Sequence, residues 1–455
     1  MSTLSGPRKP PLRGGAWRLM MLAAWALASA LASAQSAGEV EFARGVGFAQ
    51  TGEQTPRTLG KGLVLSVGDR LTTAEGAVVI IKLIDGTRMT LRPNTELVLQ
   101  QYQFKESAPD NSMVLQMLRG GLRAITGLIS KGSPDAAKIQ TTTATIGIRG
   151  TDFDARLCAK DCSQEVAASD QEQRPNRVLA SAKLVAMQGG FSAVNSGGEK
   201  RGLVAGASVY PGDTVQSDAN AHAVLVFRDE SRISIGPDSR LRLDDFVFDR
   251  KNAAEGRLQV TLLRGTLRAL TGLIAQADPN HAVFFSAQPG LSIQGQGLDL
   301  SCLDGARCSL FNWLGMLRVT SQAQSETQVV DVGQGLIVGA EGAREIRTLA
   351  LQDLLRPDSV NVDWRALFAE TELDSAAQGL FVYVRDGHIE VSTERETLHL
   401  GRGEAGFAGI NGGTARPLLL PLFLELDQMP MPNSTRPAAA FLLNGLGSKG
   451  AAQCN

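Results

Sequence analysis

Apolar and polar residues alternate with a period near two along most of the chain. In 88–104, Met89 and Leu91 alternate with polar neighbours, and Leu97, Leu99, Tyr102 and Phe104 follow a Pro93-Asn94 turn. The stretch 232–248 repeats this with Ile233, Ile235, Leu241, Leu243, Phe246 and Phe248 around Gly236-Pro237-Asp238. Such alternation buries one face of a strand and leaves the other wet. It predicts half-buried antiparallel strands joined by turns such as Asp85-Gly86. The segment 113–130 could form an amphipathic helix by spacing, but Gly120-Gly121 at its centre would cost about 1 kcal/mol per glycine relative to alanine. A tight turn between two strands is the expectation there. Thr141, Thr142, Thr143, Thr145, Ile146 and Ile148 are β-branched and continue as strand.

The pattern occurs twice. LRGGLRAITGLI at 118–129 returns as LRGTLRALTGLI at 263–274, and the stretches around them align at nearly the same shift. Asp69 falls on Asp213, Asp85 on Asp229, Arg88 on Arg232, Pro93 on Pro237, Gly150 on Gly295 and Asp154 on Asp299. An internal duplication therefore organises the protein. The predicted fold is all-β: two tandem units of β-sandwich or short β-solenoid type, over 35–160 and 181–308, separated by a polar linker at 161–180. The segments 309–340 and 379–409 each resemble the opening hairpin of a unit and are expected to extend the second sheet. One or two short helices are expected around 345–375, where Asp363 precedes WRALFAE as an N-cap and LALQDLL (349–355) has helical spacing. The tail from 413 is rich in proline and expected to be extended and poorly packed. Its apolar run at 418–426 is too short to cross a bilayer and is a candidate to dock on the last sheet or on a partner.

The first 34 residues carry Arg8, Lys9, Arg13 and Arg18 and no acid, then an apolar run from Leu19 to Leu31, then Ala32-Ser33-Ala34. This order reads as a secretory signal peptide cut after Ala34, and predicts a periplasmic or secreted protein without a spanning segment in the mature chain. Cleavage removes four cations and turns the formal charge of −1 into −5. A mildly acidic chain without basic blocks gives no electrostatic reason to bind nucleic acid. The 49 glycines, against 3 Tyr and 4 Trp, suit many tight turns. Of the five cysteines, Cys158 with Cys162 and Cys302 with Cys308 sit at corresponding places in the two repeats. In an oxidising compartment each pair is a candidate disulfide closing a short loop. A four-thiol zinc site is the alternative, disfavoured by the spacing. Cys454 is then left over.

Catalytic chemistry has little to draw on. His222, His281, His388 and His399 are not at metal-ligand spacing and form no known motif. Each is expected on a strand face or loop. Asp152 and Asp154 would share a strand face and could pair or bind a cation. The second repeat has Gly297 in place of Asp152, however, and a solvated strand end is the expectation. GIRGTDF lacks a following helix to make it an anion loop, so its glycines are expected to allow a bulge. No catalytic, cofactor or metal residues are expected.

The residues just compared resemble the FecR domain of bacterial envelope proteins. Its pattern reads here as Gly68-Asp69, Asp85-Gly86-Thr87 with Pro93, Leu118-Arg119-Gly120, and Gly150-Thr151-Asp152-Phe153-Asp154. The match is strong over 60–156 and more diverged over 203–300. The resemblance implies a periplasmic, all-β, non-enzymatic domain that needs no cofactor. The family's best-known members are transmembrane regulators whose cytoplasmic segment controls a sigma factor. A leader at the start of this chain implies that such a segment is absent. The expected function is an interaction module for an unidentified envelope protein or polymer. The rivals are a signalling component that regulates a membrane sensor or transporter, and an envelope-polymer hydrolase.

Overall fold

A computed structural model of the chain describes residues 36–106, 108–132, 136–159, 161–162, 173–303, 307–321, 327–339, 342–346, 354–374 and 377–425. The expected leader and its cleavage site, most of the expected linker, most of the expected helix at 349–355, the tail beyond 425, and Cys454 lie outside these residues. The fold is all-β, with two large sheet systems of 15 and 17 strands and a few short helices. Among the described residues no helix is long and apolar enough to cross a membrane.

Each sheet system folds over on itself into two layers around a core of alternating apolar residues. Long strands run through both layers. Ser112–Ile125 pairs with Glu96–Gln103 along its first half and with Arg88–Leu91 along its second. The expected turn at Gly120-Gly121 is therefore absent, and the segment is one strand of 14 residues. The two glycines bend it instead. Gly120 takes φ +78°, and a Cβ there would meet Thr95 at 2.5 Å. Register slips beside this point, between Glu96 and Leu97, which passes the strand from one layer to the next without reversing it. Gly265, at φ +98°, plays the same part within Arg257–Leu270.

Met89, Leu91, Leu97, Leu99, Leu115, Leu122 and Phe153 fill the first core, and Ile233, Ile235, Leu241, Leu243, Leu267 and Leu298 the second. The alternation read from sequence thus points inward in both copies. At the rate for apolar burial, each such side chain contributes roughly 1.5–3 kcal/mol.

The connectivity differs from expectation in one large respect. Strands within 308–346 close the second system, as anticipated: Cys308–Leu314 pairs with Gly297–Cys302 and Leu317–Ser321 with Leu291–Gln294. Gly379–Ser392 instead pairs along its whole length with Thr145–Cys158 in the first system. Thr397–Gly401, Ala405–Gly409 and Thr414–Ala415 follow it there. Pairing order makes 379–415 the counterpart of 308–346, each closing its own unit. The second unit is consequently inserted into the first, between Cys158 and Gly379. Hydrophobic pattern identified both segments as strands that extend a sheet; it carried no information on which sheet each would join.

Two further expectations change, and the short helix expected after Asp363 is present. The end of the linker is packed: Asn176 is buried and bonds Ala405 O at 3.0 Å, Pro417 O at 2.6 Å and Ala405 N at 2.8 Å through its side-chain amide. The start of the tail is also packed, with Leu420, Leu422, Phe423 and Leu424 buried and Leu422–Glu425 helical. Phe423 and Leu424 cover Phe381, Phe407 and the Cys158–Cys162 disulfide on the first unit. A second short helix, Trp364–Phe368, starts after Asp363, whose carboxylate accepts from Ala366 N at 3.2 Å. With Val360 and Val362 it covers Val224 and Val226 on the outer face of the second unit.

Candidate functional site

The family-pattern residues are tied into turns. Asp69 is fully buried and accepts from Ser66 N, the Thr51 hydroxyl and Arg57, pinning the bend at Gly68, which has φ +88°. Asp213 does the same with Tyr210 N and Arg201. Asp85 accepts from Thr87 N and the Thr87 hydroxyl across Gly86, while that hydroxyl accepts from Gly127 N at 2.9 Å. Asp229, Ser231 and Gly272 copy this set. Pro93 leads a turn in which Asn94 has φ 55°, and Thr95 clasps Gly121 through its hydroxyl. Phe153 is core. These acids hold the chain's reversals, which explains their recurrence in both copies.

Asp152 and Asp154 do share a face, but neither is a free strand-end acid. Asp154 is fully buried against Arg385 at 2.6 Å, with Arg92 at 3.8 Å. Arg123 grips Asp152 with two bonds. Arg92 in turn donates to Phe423 O, tying this cluster to the tail segment. Burial pushes the Asp154 carboxyl up, while the surrounding arginines oppose the shift. The expected solvated strand end is thus a buried ion cluster that fastens the outer face of the first unit.

Gly150 and Thr151 lead to the place where the two units meet. Gly150 has φ +54° and sits in a bulge between Arg149 and Asp152. Thr151 holds this bulge to the neighbouring strand by donating to His388 O at 2.9 Å. Beyond it opens a cleft of about 380 Å3 between the units. The first unit lines it with Lys131, Arg149, Gly150, Gly387 and His388, and the second with Lys200, Arg201, Gly202, Ser208 and Tyr210.

A buried triad welds the seam below this cleft. Lys183 of the second unit meets Glu404 of the first at 3.2 Å, and Arg416 reaches the same carboxylate at 3.3 Å. All three are essentially without solvent contact. Lys183 and Arg416 also donate to His399 O, which satisfies charges that burial alone would make very costly. Burial lowers the Lys183 ammonium to about 8 against the pull of Glu404. Burial also raises the Glu404 carboxyl, but Lys183 and Arg416 outweigh it and hold the group below its ordinary value. His388 and His399 stack at 5.6 Å beside the triad. Burial, then nearby cations, lowers His399 to about 4 and His388 well below its usual range. Both rings are therefore neutral at pH 7. Arg201 and Arg402 flank the Tyr210 ring at 5.5 and 4.9 Å.

The cleft carries a surplus of positive charge. Arg201 is committed to Asp213, with Asp386 also acting on it. The side chains of Lys131, Arg149 and Lys200 form no hydrogen bond or ion pair with any described residue. Arg149 is half-buried, and desolvation lowers its guanidinium. Both ring nitrogens of His388 lack hydrogen-bond partners, whereas the buried Tyr210 hydroxyl is engaged by the Ser208 side chain and the Arg402 backbone. Such an arrangement can hold an anion. Among the described residues no group of three or more His, Cys, Asp or Glu could hold a metal ion.

Sequence reading missed this site because its parts lie on four separated stretches that only the insertion brings together. Lys200, Arg201 and Tyr210 carried no motif, and His388 was expected only on a strand face or loop. His222 begins a strand and His281 ends a single helical turn, both away from the cleft. The cysteine pairs are disulfides, Cys158–Cys162 and Cys302–Cys308. Each sits where its unit's closing strand begins or its partner strand ends.

Residues 69–170 match the FecR protein family. No curated protein matches the chain. Two crystal structures of a proposed anti-sigma factor from Parabacteroides distasonis ATCC 8503, at 1.65 and 2.50 Å, are similar at 11% identity with a TM-score of 0.24. The alignment covers 30% of this chain and 59% of that one, so the chain spans about three-fifths of the length of the structures it matches.

Proposed function

We propose, for a chain that carries a FecR domain over residues 69–170, a non-enzymatic binding module of the bacterial envelope that serves a signalling system. The observation that carries this reading is the seam. Two units are fixed together by the buried Lys183–Glu404–Arg416 triad, and beside it Lys131, Arg149 and Lys200 face a common cleft without protein partners. A half-buried charge such as Arg149 ordinarily finds a partner within the protein; one held open in a cleft beside two exposed lysines suits recognition of something outside it. The family's regulatory character supports a signalling role, and the two disulfides suit an oxidising compartment such as the periplasm.

Site-directed photo-crosslinking in the envelope tests this. A crosslinker in place of Lys200, at the cleft, should capture a discrete partner or ligand. One in place of Val329, exposed on the far strand Thr327–Val330, should not. Equal labelling at both positions, or none at Lys200, would count decisively against a seam that recognises anything. Mass spectrometry of the mature protein should find Gln35 at its N-terminus if the chain is exported as proposed.

A further inference from the structure

We propose that the seam cleft binds a phosphoryl group carrying two or more negative charges, with Arg149 as its central ligand and Lys131 and Lys200 beside it. This rests on the reading of the seam as a recognition site and names the chemistry it recognises.

Arg149 is the key observation. Its guanidinium lies against the second unit, where a Cβ on Gly202 would come within 2.5 Å of Nη2. A side chain at 202 would displace it. The guanidinium is thus placed by a glycine contact, in a half-buried position, with no carboxylate to balance it. Withdrawing an unpaired charge from water is unfavourable unless a counter-charge is supplied. The cleft lining supplies none: it includes four cations and no acid, and the nearby Asp213 and Asp386 both act on Arg201.

The directions of approach separate phosphoryl from carboxylate. A carboxylate presents two coplanar oxygens, which one arginine satisfies with parallel bonds. Here the donors come from separate elements: Lys131 from the helix Leu128–Gly132 and Arg149 from the bulge before Gly150 in the first unit, and Lys200 from the strand Lys200–Leu203 of the second. A tetrahedral oxyanion offers acceptor oxygens on several sides and suits that convergence. The volume, about 380 Å3, lies at the small end of the range for ligand sites and accommodates a pyrophosphate or a phosphorylated headgroup.

Calorimetry on the full chain with inorganic pyrophosphate, and with glutarate as a dicarboxylate, tests the assignment. Pyrophosphate should bind and glutarate should be at least tenfold weaker. Arg149→Met should weaken pyrophosphate by about tenfold or more, as expected for a charge-assisted hydrogen bond. Lys200→Ala, at an exposed position, should weaken it by less and flatten its dependence on salt. Should Arg149→Met not fold, Lys200→Ala decides the matter, and unchanged affinity in that variant overturns the proposal. Equal affinity for glutarate, or no binding of pyrophosphate together with no binding to vesicles containing phosphatidate, overturns it too. Binding to phosphatidate vesicles over phosphatidylcholine ones identifies a lipid source, and binding to pyrophosphate alone a soluble one. Crosslinked capture at Lys200 without any phosphate binding would remove the phosphoryl assignment and leave the recognition site standing. Phosphate binding without capture would do the reverse.

Discussion

The two units are copies built on one plan, and they diverge most where their outer faces are fastened. In the first, Asp154 is buried under Arg385 and Arg92, with Arg123 and Asp152 beside them. In the second, Arg268 holds Asp299 with two bonds and also donates to Leu354 O. Gly236 stands in place of Arg92, Gly297 in place of Asp152, and strand pairing puts Trp313 opposite where Arg385 lies. The first unit covers its face with a charged cluster capped by Phe423 O. The second relies on Trp364, Leu367 and Phe368 packed over valines. The duplicated scaffold therefore tolerates either polar or apolar fastening, provided that the inward alternation and the turn acids are kept.

This comparison can be broken by substitution. Asp154→Ala should cost the most, about 3–5 kcal/mol in chemical denaturation, because it leaves Arg385 and Arg92 beside an uncompensated buried site. Asp299→Ala should cost less, since it strands one arginine with a carbonyl still available. Equal losses would mean that the extra charges of the first unit add nothing. Glu404→Gln should also cost roughly 3–5 kcal/mol by stranding Lys183 and Arg416, and should open the seam to proteolysis before either unit unfolds.

Acid sharpens the picture next. His399 has its folded pKa lowered to about 4 from an ordinary value of 6.5, chiefly by burial. The unfolded chain therefore binds the proton first, and stability is fully present above pH 6.5 and is lost as pH falls toward 4. The loss should be roughly 3 kcal/mol, and His399→Gln should flatten this part of the pH profile. The smallest effect concerns the disulfides. Each closes a short loop, so replacing either pair by alanine should cost about 2 kcal/mol. Free thiols at Cys158 or Cys302 in protein taken from the envelope would contradict the pairing.

Much of the scaffold was legible in the chain. The inward alternation, the shift relating Asp69 to Asp213 and Asp85 to Asp229, and the matching cysteine pairs all follow from local pattern. The bend at Gly120 was misread because glycine permits both a reversal and a bulge, and only the facing strand, through Thr95, selects between them. The destination of Gly379–Ser392 was hidden for a related reason: its alternation suits either sheet, and its partner Thr145–Cys158 lies far away in sequence. The cleft was least accessible of all. Arg149 has meaning only beside Gly202 and Tyr210, and nothing in the order of residues places them together.

The insertion has a consequence for biogenesis. In the second unit a short disulfide-closed loop, Cys302–Cys308, joins the two strands that in the first unit are joined only through everything from Cys162 to Gly379. A nascent chain thus makes the inner copy in full before the outer copy receives its last strands. Once the inner copy has folded it acts as a compact bridge, which shortens the effective loop that the outer copy must close. Maturation is therefore ordered from the inside outward, and the anion cleft comes into being only at the final step, when Gly387 and His388 arrive beside Arg149.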